Sequence, residues 1–473
     1  MGLDEVGDLC DVKTGPFGTQ LHKTDYASSG IPIVEIGDVH PNRNLAEGAA
    51  HFVSKDKADQ LTRYEIRNDD ILFTRVGTVG RCTKVPTACN GWLMSTSLIR
   101  VRPRLEESIS SAFLLYYFWS PIAQSFAKAS SKGTTRAGTN STIVEELPLA
   151  LAPFKEQKRI VSKVDELFSF LDASTESLRK VQAQLKRYRQ AVLKYAFEGK
   201  LTEEWRETHK DQIESAQKLL DRIKQEKRKE PKYREMASIN PSELPEIPNS
   251  WAWTKLGEIL FLSNDRCNPI TSENQRFVGL EHIESGTGRL LGFGKSSATR
   301  STKNRFKKGD LLYGKLRPYL NKVWLASFDG VCSTDILVFR KNSFLNNEYL
   351  AAFMLNQDFV EYTRQRMSGV QHPRINYTTL SQYILPIPPN AEQVVIAEKI
   401  QKTFSITENS EETMLQETKQ AEILRQSILK VAFEGRLVPQ NSNDESAEEL
   451  LERIKAERFS NKESKLELPC YVK

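Results

Sequence analysis

The chain has 473 residues, of which 39% are apolar and 27% are charged, as expected of an ordinary folded protein with several domains. It has no run of about 18 apolar residues and no basic-then-apolar N-terminal segment, so neither a transmembrane helix nor a secretory signal is expected. The six cysteines never form a Cys-x-x-Cys pair, so we expect reduced thiols in the cytoplasm and no zinc site.

Residues 1–150 have the pattern of a small α+β domain. Short β-rich runs at 31–36, 71–75 and 98–102 are separated by Gly, Asn and Asp turn residues. A single helix is predicted over about 108–128, where the sequence is apolar on every side and therefore expected to be buried.

A long helix is predicted to begin at Phe154. Apolar residues recur there with the alternating spacing of four and three that is typical of a coiled coil. Gly199 is expected to end the helix in a left-handed conformation, which gives the helix a length of roughly 60 Å. The seam, broken only by Ser174, is predicted to consist of Ile160, Val164, Leu167, Leu171, Leu178, Val181, Leu185, Tyr188, Val192 and Tyr195.

The end of this helix is repeated 236 residues later. Arg189–Leu201 and Arg425–Leu437 are identical at nine of thirteen positions, and the same offset relates Glu156 to Glu392. A repeat with constant spacing indicates two copies of one structural unit. A second long helix, over about 391–434, is therefore expected to pack antiparallel against the first. A homodimeric coiled coil is the alternative.

Each long helix is followed by a second, shorter repeat. Residues 214–226 return as 445–457, and both segments are charged and amphipathic, which predicts short helices. A Pro-rich linker, 241–248, then leads into the second globular domain. The predicted order is a first globular domain (1–150), a long helix (151–200), a short helix with a linker (201–250), a second globular domain (251–390), a second long helix (391–436), and a C-terminal helix and tail (437–473).

The second globular domain repeats the framework of the first but not its turns. Gly309–Tyr313 corresponds to Asp69–Phe73, and Ser333–Thr334 corresponds to Ser95–Thr96. Between these matches the sequences diverge, as expected for one scaffold with two recognition surfaces. Residues 251–390 contain 18 Lys and Arg against 11 Asp and Glu, which favours binding of a polyanion.

These motifs resemble those of the specificity subunit of type I DNA restriction–modification systems. They are Pro16–Thr19 with Ile33–Asp38, the Asp-Ile-Leu-Phe-Thr-Arg and Gly-Lys-Leu-Arg-Pro-Tyr segments, and the two Ala-Phe-Glu-Gly helix ends. The resemblance covers nearly the whole chain. It implies an α+β fold with pseudo-two-fold symmetry, in which two target-recognition domains are separated by two long antiparallel coiled-coil helices.

The resemblance also implies partners. Each target-recognition domain would read one half of a bipartite motif in double-stranded DNA. The helices would set the distance between the halves and bind two methyltransferase subunits, and restriction subunits would join through the complex. No membrane partner is expected.

Motifs of a catalytic chain are absent from the sequence. There is no Gly-rich cofactor turn, no Asn/Asp-Pro-Pro-aromatic loop and no phosphate-binding loop, so neither methyl transfer nor ATP hydrolysis is expected. Glu198-Gly-Lys200 matches half of a nuclease motif, but its repeat reads Glu434-Gly-Arg436 at another predicted helix end. We therefore expect no active site and no cofactor. A fused restriction–methylation enzyme is the catalytic alternative.

Candidate DNA-binding residues lie in turns next to predicted strands and in two Gly-containing loops at equivalent places. Arg commonly reads guanine, Gln and Asn can pair with adenine, and Lys and Thr can reach phosphate. The candidates are Arg75, Arg81, Thr134, Thr135, Arg136, Lys315, Arg317, Lys322, Gln371, Arg374 and Asn376. A bivalent scaffold that binds only proteins is the main alternative. It differs in that phosphate contacts make DNA affinity fall steeply with salt.

Overall fold

A computed structural model describes residues 2–40, 45, 48, 51–75, 81–105, 107–130, 140–210, 213–230, 233–268, 275–298 and 301–466. The chain divides into a first unit, residues 1–178 with 415–473, and a second unit, residues 179–414. Each unit contains one globular domain and one half of each long helix. In the described part of the chain, no helix has the length and apolar character needed to cross a membrane.

The first globular domain contains two four-stranded sheets and a two-stranded ribbon that joins its ends. Its strands are Gly2–Glu5, Cys10–Thr14, Tyr26–Ala27, Ile31–Val34, His51–Val53, Ile71–Thr74, Cys82–Lys84, Leu93–Met94, Leu98–Pro103 and Pro148–Leu151. Its α-helices are Val6–Leu9, Lys55–Gln60, Ser111–Trp119, Pro121–Ser130 and Ser141–Glu145. The first unit also contains the C-terminal helix Ala447–Leu466.

The second globular domain has a five-stranded sheet, a three-stranded sheet and a corresponding ribbon. Its strands are Ala252–Lys255, Arg266–Cys267, Arg276–Val278, Gly294–Lys295, Lys303–Phe306, Leu311–Gly314, Val323–Leu325, Gly330–Cys332, Ile336–Phe339 and Ile384–Ile387. The other α-helices of the second unit are Glu203–Thr208, Ala216–Lys227, Leu256–Ile259, Asn347–Met354, Gln357–Gln365 and Tyr377–Leu380.

The central strand of each domain is buried on both faces. Ile71–Thr74 and Leu311–Gly314 are buried at all four positions, because each lies between an antiparallel neighbour on either side and an apolar cluster above and below. Asp70 precedes the first strand and is paired with Arg102, while Asp310 precedes the second and is paired with Arg340. An equivalent Asp–Arg ion pair thus fixes the start of the corresponding hairpin in each domain.

Both long helices have the predicted extent. The first long helix is Phe154–Phe197 and the second long helix is Asn390–Phe433, each of 44 residues. Gly199 and Gly435 follow their ends with φ of 75° and 73°, where a residue with a Cβ would be strained. The repeat was therefore a reliable guide to where the helices end.

Within each unit the two helix halves run antiparallel and are joined by one arrangement of side chains. In the second unit, Arg189 lies 4.5 Å from the Phe404 ring centre and donates to Glu408 at 3.0 Å. In the first unit, Arg425 lies 4.9 Å from the Phe168 ring centre and is paired with Asp172 at 2.5 Å. All three positions are related by the 236-residue repeat.

Each helix start is tied to its own globular domain by a buried glutamine. The Gln157 Oε1 accepts from the backbone N–H of Ser110 at 2.8 Å, and the Gln393 Oε1 accepts from that of Asn346 at 2.9 Å. Both donating N–H groups belong to N-cap residues of helices in the globular domains. The helix and the domain of each unit are therefore held in one fixed orientation.

Two details of the sequence interpretation were wrong. The helix predicted over 108–128 is two helices, because Ser120 precedes Pro121 and takes an extended conformation with ψ of 154°. The strict coiled-coil spacing also fails in the second unit. Val181, Tyr188 and Tyr195 are 39%, 53% and 55% exposed. A helix with 3.6 residues per turn drifts away from a repeat of 3.5, so the buried stripe moves onto neighbouring positions.

We predict that Arg189→Ala lowers the free energy of unfolding by about 2 kcal/mol, since it removes a buried cation from two carboxylates. Arg189 is only 7% exposed and contacts Glu408 and Glu411 at 3.0 and 3.4 Å. Urea denaturation of the purified chain measures the effect. Arg187→Ala on the exposed side of the same helix is the control, and an equal loss in both variants would contradict the assignment.

Candidate DNA interface

The hairpin tip of the second domain is a rigid, exposed turn. It joins Leu311–Gly314 to Val323–Leu325 and begins where the Lys315 N–H donates to the Asp335 carbonyl at 2.9 Å. Arg317 and Asn321 have φ of 49° and 44°, an uncommon conformation for residues other than glycine. Such backbone strain persists where the surrounding structure enforces it, and it is concentrated at functional sites.

A second exposed loop, Ser368–Arg374, is closed by its own backbone. The Ser368 N–H donates to the Arg374 carbonyl at 2.9 Å, and the Arg374 N–H donates back at 2.8 Å. Gly369 opens the loop with φ of 100°, which an L side chain rarely adopts. Pro373 is buried, whereas Val370, Gln371 and His372 face solvent. The loop thus presents three neighbouring side chains from a fixed backbone.

The fold brings the hairpin tip and this loop together. The Arg317 N–H donates to the Pro373 carbonyl at 2.7 Å, and the Ile375 N–H donates to the Lys315 carbonyl at 3.0 Å. These two hydrogen bonds join segments more than fifty residues apart in sequence. We call the result the tip-and-loop surface, formed by residues 315–321 and 368–374. It unites Lys315, Arg317, Gln371 and Arg374, which the sequence analysis had proposed separately.

The tip-and-loop surface is positively charged. Arg317 is exposed and Lys315 is partly exposed, and no hydrogen bond or ion pair of either side chain is seen within the described ranges. Arg374 is paired with Asp335 at 3.1 Å, and this hydrogen bond raises the pKa of the Arg374 guanidinium. Asp335 is thereby neutralised, so that the charge of Lys315 and Arg317 is available to a polyanion.

Lys322 and Arg81 have a structural role that the sequence did not reveal. The Lys322 Nζ donates to the carbonyls of Leu280 and Ile283, both at 2.7 Å. The Arg81 guanidinium donates to the Val39 carbonyl at 3.3 Å. In each domain a cation at the base of the hairpin thus bonds the carbonyl that follows a short 3-10 helix. We therefore propose that both side chains support the scaffold.

Asn376 also has a local role. Its side-chain oxygen accepts from the Thr379 N–H at 2.7 Å and caps the helix Tyr377–Leu380. Asn140 caps Ser141–Glu145 in the first domain in the same way, with an N–H donor at 2.8 Å. The equal spacing of the two asparagines within the repeat is therefore explained by a shared helix start.

The first domain is described only in part at the corresponding place. The Arg75 N–H donates to the Ser97 carbonyl at 2.8 Å, as Lys315 does to Asp335, and the Arg75 guanidinium lies 5.1 Å from the Phe17 ring centre. The Phe17 ring is 55% exposed, so this cation–π contact lies at the surface of the domain. Thr134, Thr135 and Arg136 lie outside the described residues.

Val370 of the tip-and-loop surface, which is 100% exposed, was missed by the sequence analysis. An isolated valine between Gly369 and Gln371 is itself a signal of exposure, because nothing in such a polar segment can bury it locally. Across the described part of the chain, no group of three or more His, Cys, Asp and Glu side chains could hold a metal ion.

We predict that Lys322→Met destabilises the chain whereas Arg317→Ala does not, because only Lys322 supports the fold. Lys322→Met leaves two carbonyls without their donor and should lower the free energy of unfolding by about 1–3 kcal/mol. Arg317→Ala removes an exposed side chain and should change it by less than about 0.5 kcal/mol. Urea denaturation checks both values, and a stable Lys322→Met variant would return Lys322 to the DNA-binding candidates.

A duplicated α+β domain whose hairpin differs in sequence between the two copies, joined to paired long helices, is the architecture expected of a tandem recognition protein. A sequence model of the type I restriction modification DNA specificity domain matches residues 4–186 and 248–420. The chain therefore belongs to the family of type I restriction–modification specificity subunits, and its two globular domains are target-recognition domains.

Individual relatives agree with this assignment. The chain is 30% identical over 410 residues to the type I restriction enzyme EcoDI specificity subunit of Escherichia coli, which covers 80% of this chain and 88% of that protein. It is 25% identical to the EcoBI specificity subunit of Escherichia coli over 98% of this chain and 92% of that protein. A solved chain from work on assembly and conformational transition of the type I R-M system has the same fold, with a TM-score of 0.66 at 17% identity over 92% of this chain and 98% of that chain.

Proposed function

We propose that this chain is the non-catalytic subunit that gives a type I restriction–modification complex its DNA specificity. Each target-recognition domain reads one half of a bipartite motif in double-stranded DNA. The observation that carries this proposal is the repeated hairpin, which starts with the same hydrogen bond at Arg75 and Lys315 but has a different sequence beyond it. One scaffold with two different tips suits the reading of two different half-sites.

Direct base reading is supported by the tip-and-loop surface. The exposed Arg317 guanidinium has donors that match guanine O6 and N7, and Gln371 can pair with an adenine edge. Lys315 and Arg374 are placed to position the phosphate backbone. A positively charged surface is less suited to a protein partner, because the cores of protein–protein interfaces are depleted of charged residues.

Exposed apolar side chains on the long helices support two binding sites for methyltransferase subunits. Phe170 and Ile406, 236 residues apart, are 66% and 59% exposed. Tyr188 and Leu424, also 236 residues apart, are 53% and 45% exposed. The first unit contains Phe170 and Leu424, and the second contains Ile406 and Tyr188. Equivalent apolar positions in both units suit two copies of one partner, through which restriction subunits would join.

The proposal is tested by reconstitution. The purified chain with S-adenosylmethionine alone should leave DNA unmethylated, and addition of methyltransferase subunits should produce methylation of one bipartite motif. DNA affinity should fall steeply and linearly with the logarithm of salt concentration, because phosphate contacts release counterions. Methylation by the chain alone would support the fused-enzyme alternative. Affinity that does not depend on salt would support the protein-scaffold alternative.

A further inference from the structure

We propose that Val370 contacts the 5-methyl group of a thymine in the major groove, and that the half-site of the second domain therefore contains a T·A pair at that place. The inference rests on the proposed DNA-reading function and names one feature of its substrate. Thymine is distinguished in the major groove by its methyl group, which is read by apolar contact. An apolar side chain on a base-reading surface is the complement of that group.

The exposure of Val370 is the first support. Val370 is 100% exposed. By contrast, Pro373 in the same loop is buried, and the Arg374 side chain is hydrogen-bonded to Asp335. A single exposed valine is too small an apolar area for a stable protein interface. It is, however, large enough to cover one methyl group.

The fixed position of Val370 is the second support. Val370 is the second residue after Ser368. The backbones of Ser368 and Arg374 close the loop with two mutual hydrogen bonds of 2.9 and 2.8 Å. The loop is also joined to the hairpin tip at 2.7 Å through the Pro373 carbonyl. A side chain held on such a backbone loses little conformational freedom on binding, so that one methyl contact can contribute measurably to affinity.

The charge and polarity around Val370 are the third support. On the adjoining tip Arg317 is exposed and Lys315 is partly exposed, and the carboxylate of Asp335 is paired with Arg374. Gln371 follows Val370 directly and is exposed, so that the loop offers an apolar contact and an amide at consecutive positions. That combination matches the thymine methyl and the adenine N6 and N7 of A·T pairs.

The test replaces each thymine of the second half-site by uracil, which removes only the 5-methyl group. With the full chain assembled with methyltransferase subunits, one position should show binding that is about threefold to fivefold weaker, as expected for one buried methyl. Val370→Ser should bind thymine and uracil DNA equally at that position, with all other base preferences unchanged. Ile122→Ser, at an isoleucine 38% exposed in the first globular domain, is the control and should behave as the wild type.

The outcomes separate this inference from the proposed function. If no thymine-to-uracil change weakens binding, or if Val370→Ser keeps the full effect, the inference is overturned while the DNA-reading function stands. If Val370→Ser instead loses its methyltransferase subunits in size-exclusion chromatography, Val370 is a protein contact and the inference is also overturned. If the wild-type complex does not distinguish its motif from scrambled DNA, the proposed function itself fails. Thermal melting verifies that the variant is folded, as expected for a fully exposed position.

Discussion

Exchange of residues 1–151 for the first target-recognition domain of another family member should replace one half of the methylated motif and leave the other half unchanged. The first domain is closed by pairing of Gly2–Glu5 with Pro148–Leu151, so the junction falls between its last strand and the first long helix. Each changed base pair is worth about 1–3 kcal/mol, so a new half-site should abolish methylation of the old motif.

Methylome sequencing of cells carrying the exchanged chain measures this result. The matched control is the reciprocal exchange of residues 252–387, which are closed by the pairing of Ala252–Lys255 with Ile384–Ile387. That exchange should alter only the other half. If either exchange changed both halves together, the two domains would not be independent readers.

Insertion of four residues after Leu178 and after Met414 should lengthen the gap between the half-sites by one or two base pairs. The two positions are equivalent in the repeat and lie at the boundary between the two units. Four residues add about 6 Å to each helix, and DNA rises about 3.4 Å per base pair. Both insertions fall outside the Arg189–Glu408 and Arg425–Asp172 pairs, so each unit should keep its own helix packing.

The half-site sequences should stay the same in this variant, because no residue of the tip-and-loop surface has changed. The control is an insertion after Leu178 alone, which lengthens only one helix of the pair and should destabilise the chain. A four-residue insert nearly restores the angular position of the buried stripe, which three residues would not. A methylated motif with an unchanged gap would show that the helices do not set the spacing.

The repeat and the helix ends were predictable because they depend on local patterns. Gly199 and Gly435 were expected to end the helices and have the positive φ that this role requires. The strict coiled-coil spacing of four and three residues was applied to too long a segment of the helix. Tyr188, which this spacing predicts to be buried, is exposed. Periodicity indicates which residues are apolar, but the partner helix and its drift decide which of them are buried.

The tip-and-loop surface could be predicted only in its parts. The sequence placed Lys315, Arg317 and Gln371 in turns, but the hydrogen bond from Arg317 to Pro373 depends on the tertiary fold. The role of Lys322 could not be predicted from the sequence for a related reason. A lysine in a turn has the same sequence signature whether it contacts DNA or, as here, donates to two carbonyls of its own domain.

The most direct measurement of the central claim is the methylome of cells with and without this chain, in the presence of the methyltransferase subunits. We expect one bipartite motif with a fixed gap to be methylated when the chain is present, to lose methylation when it is deleted, and to regain it on complementation. An unchanged methylome, or a motif without a gap, would contradict the account of a chain that reads DNA with two separate domains.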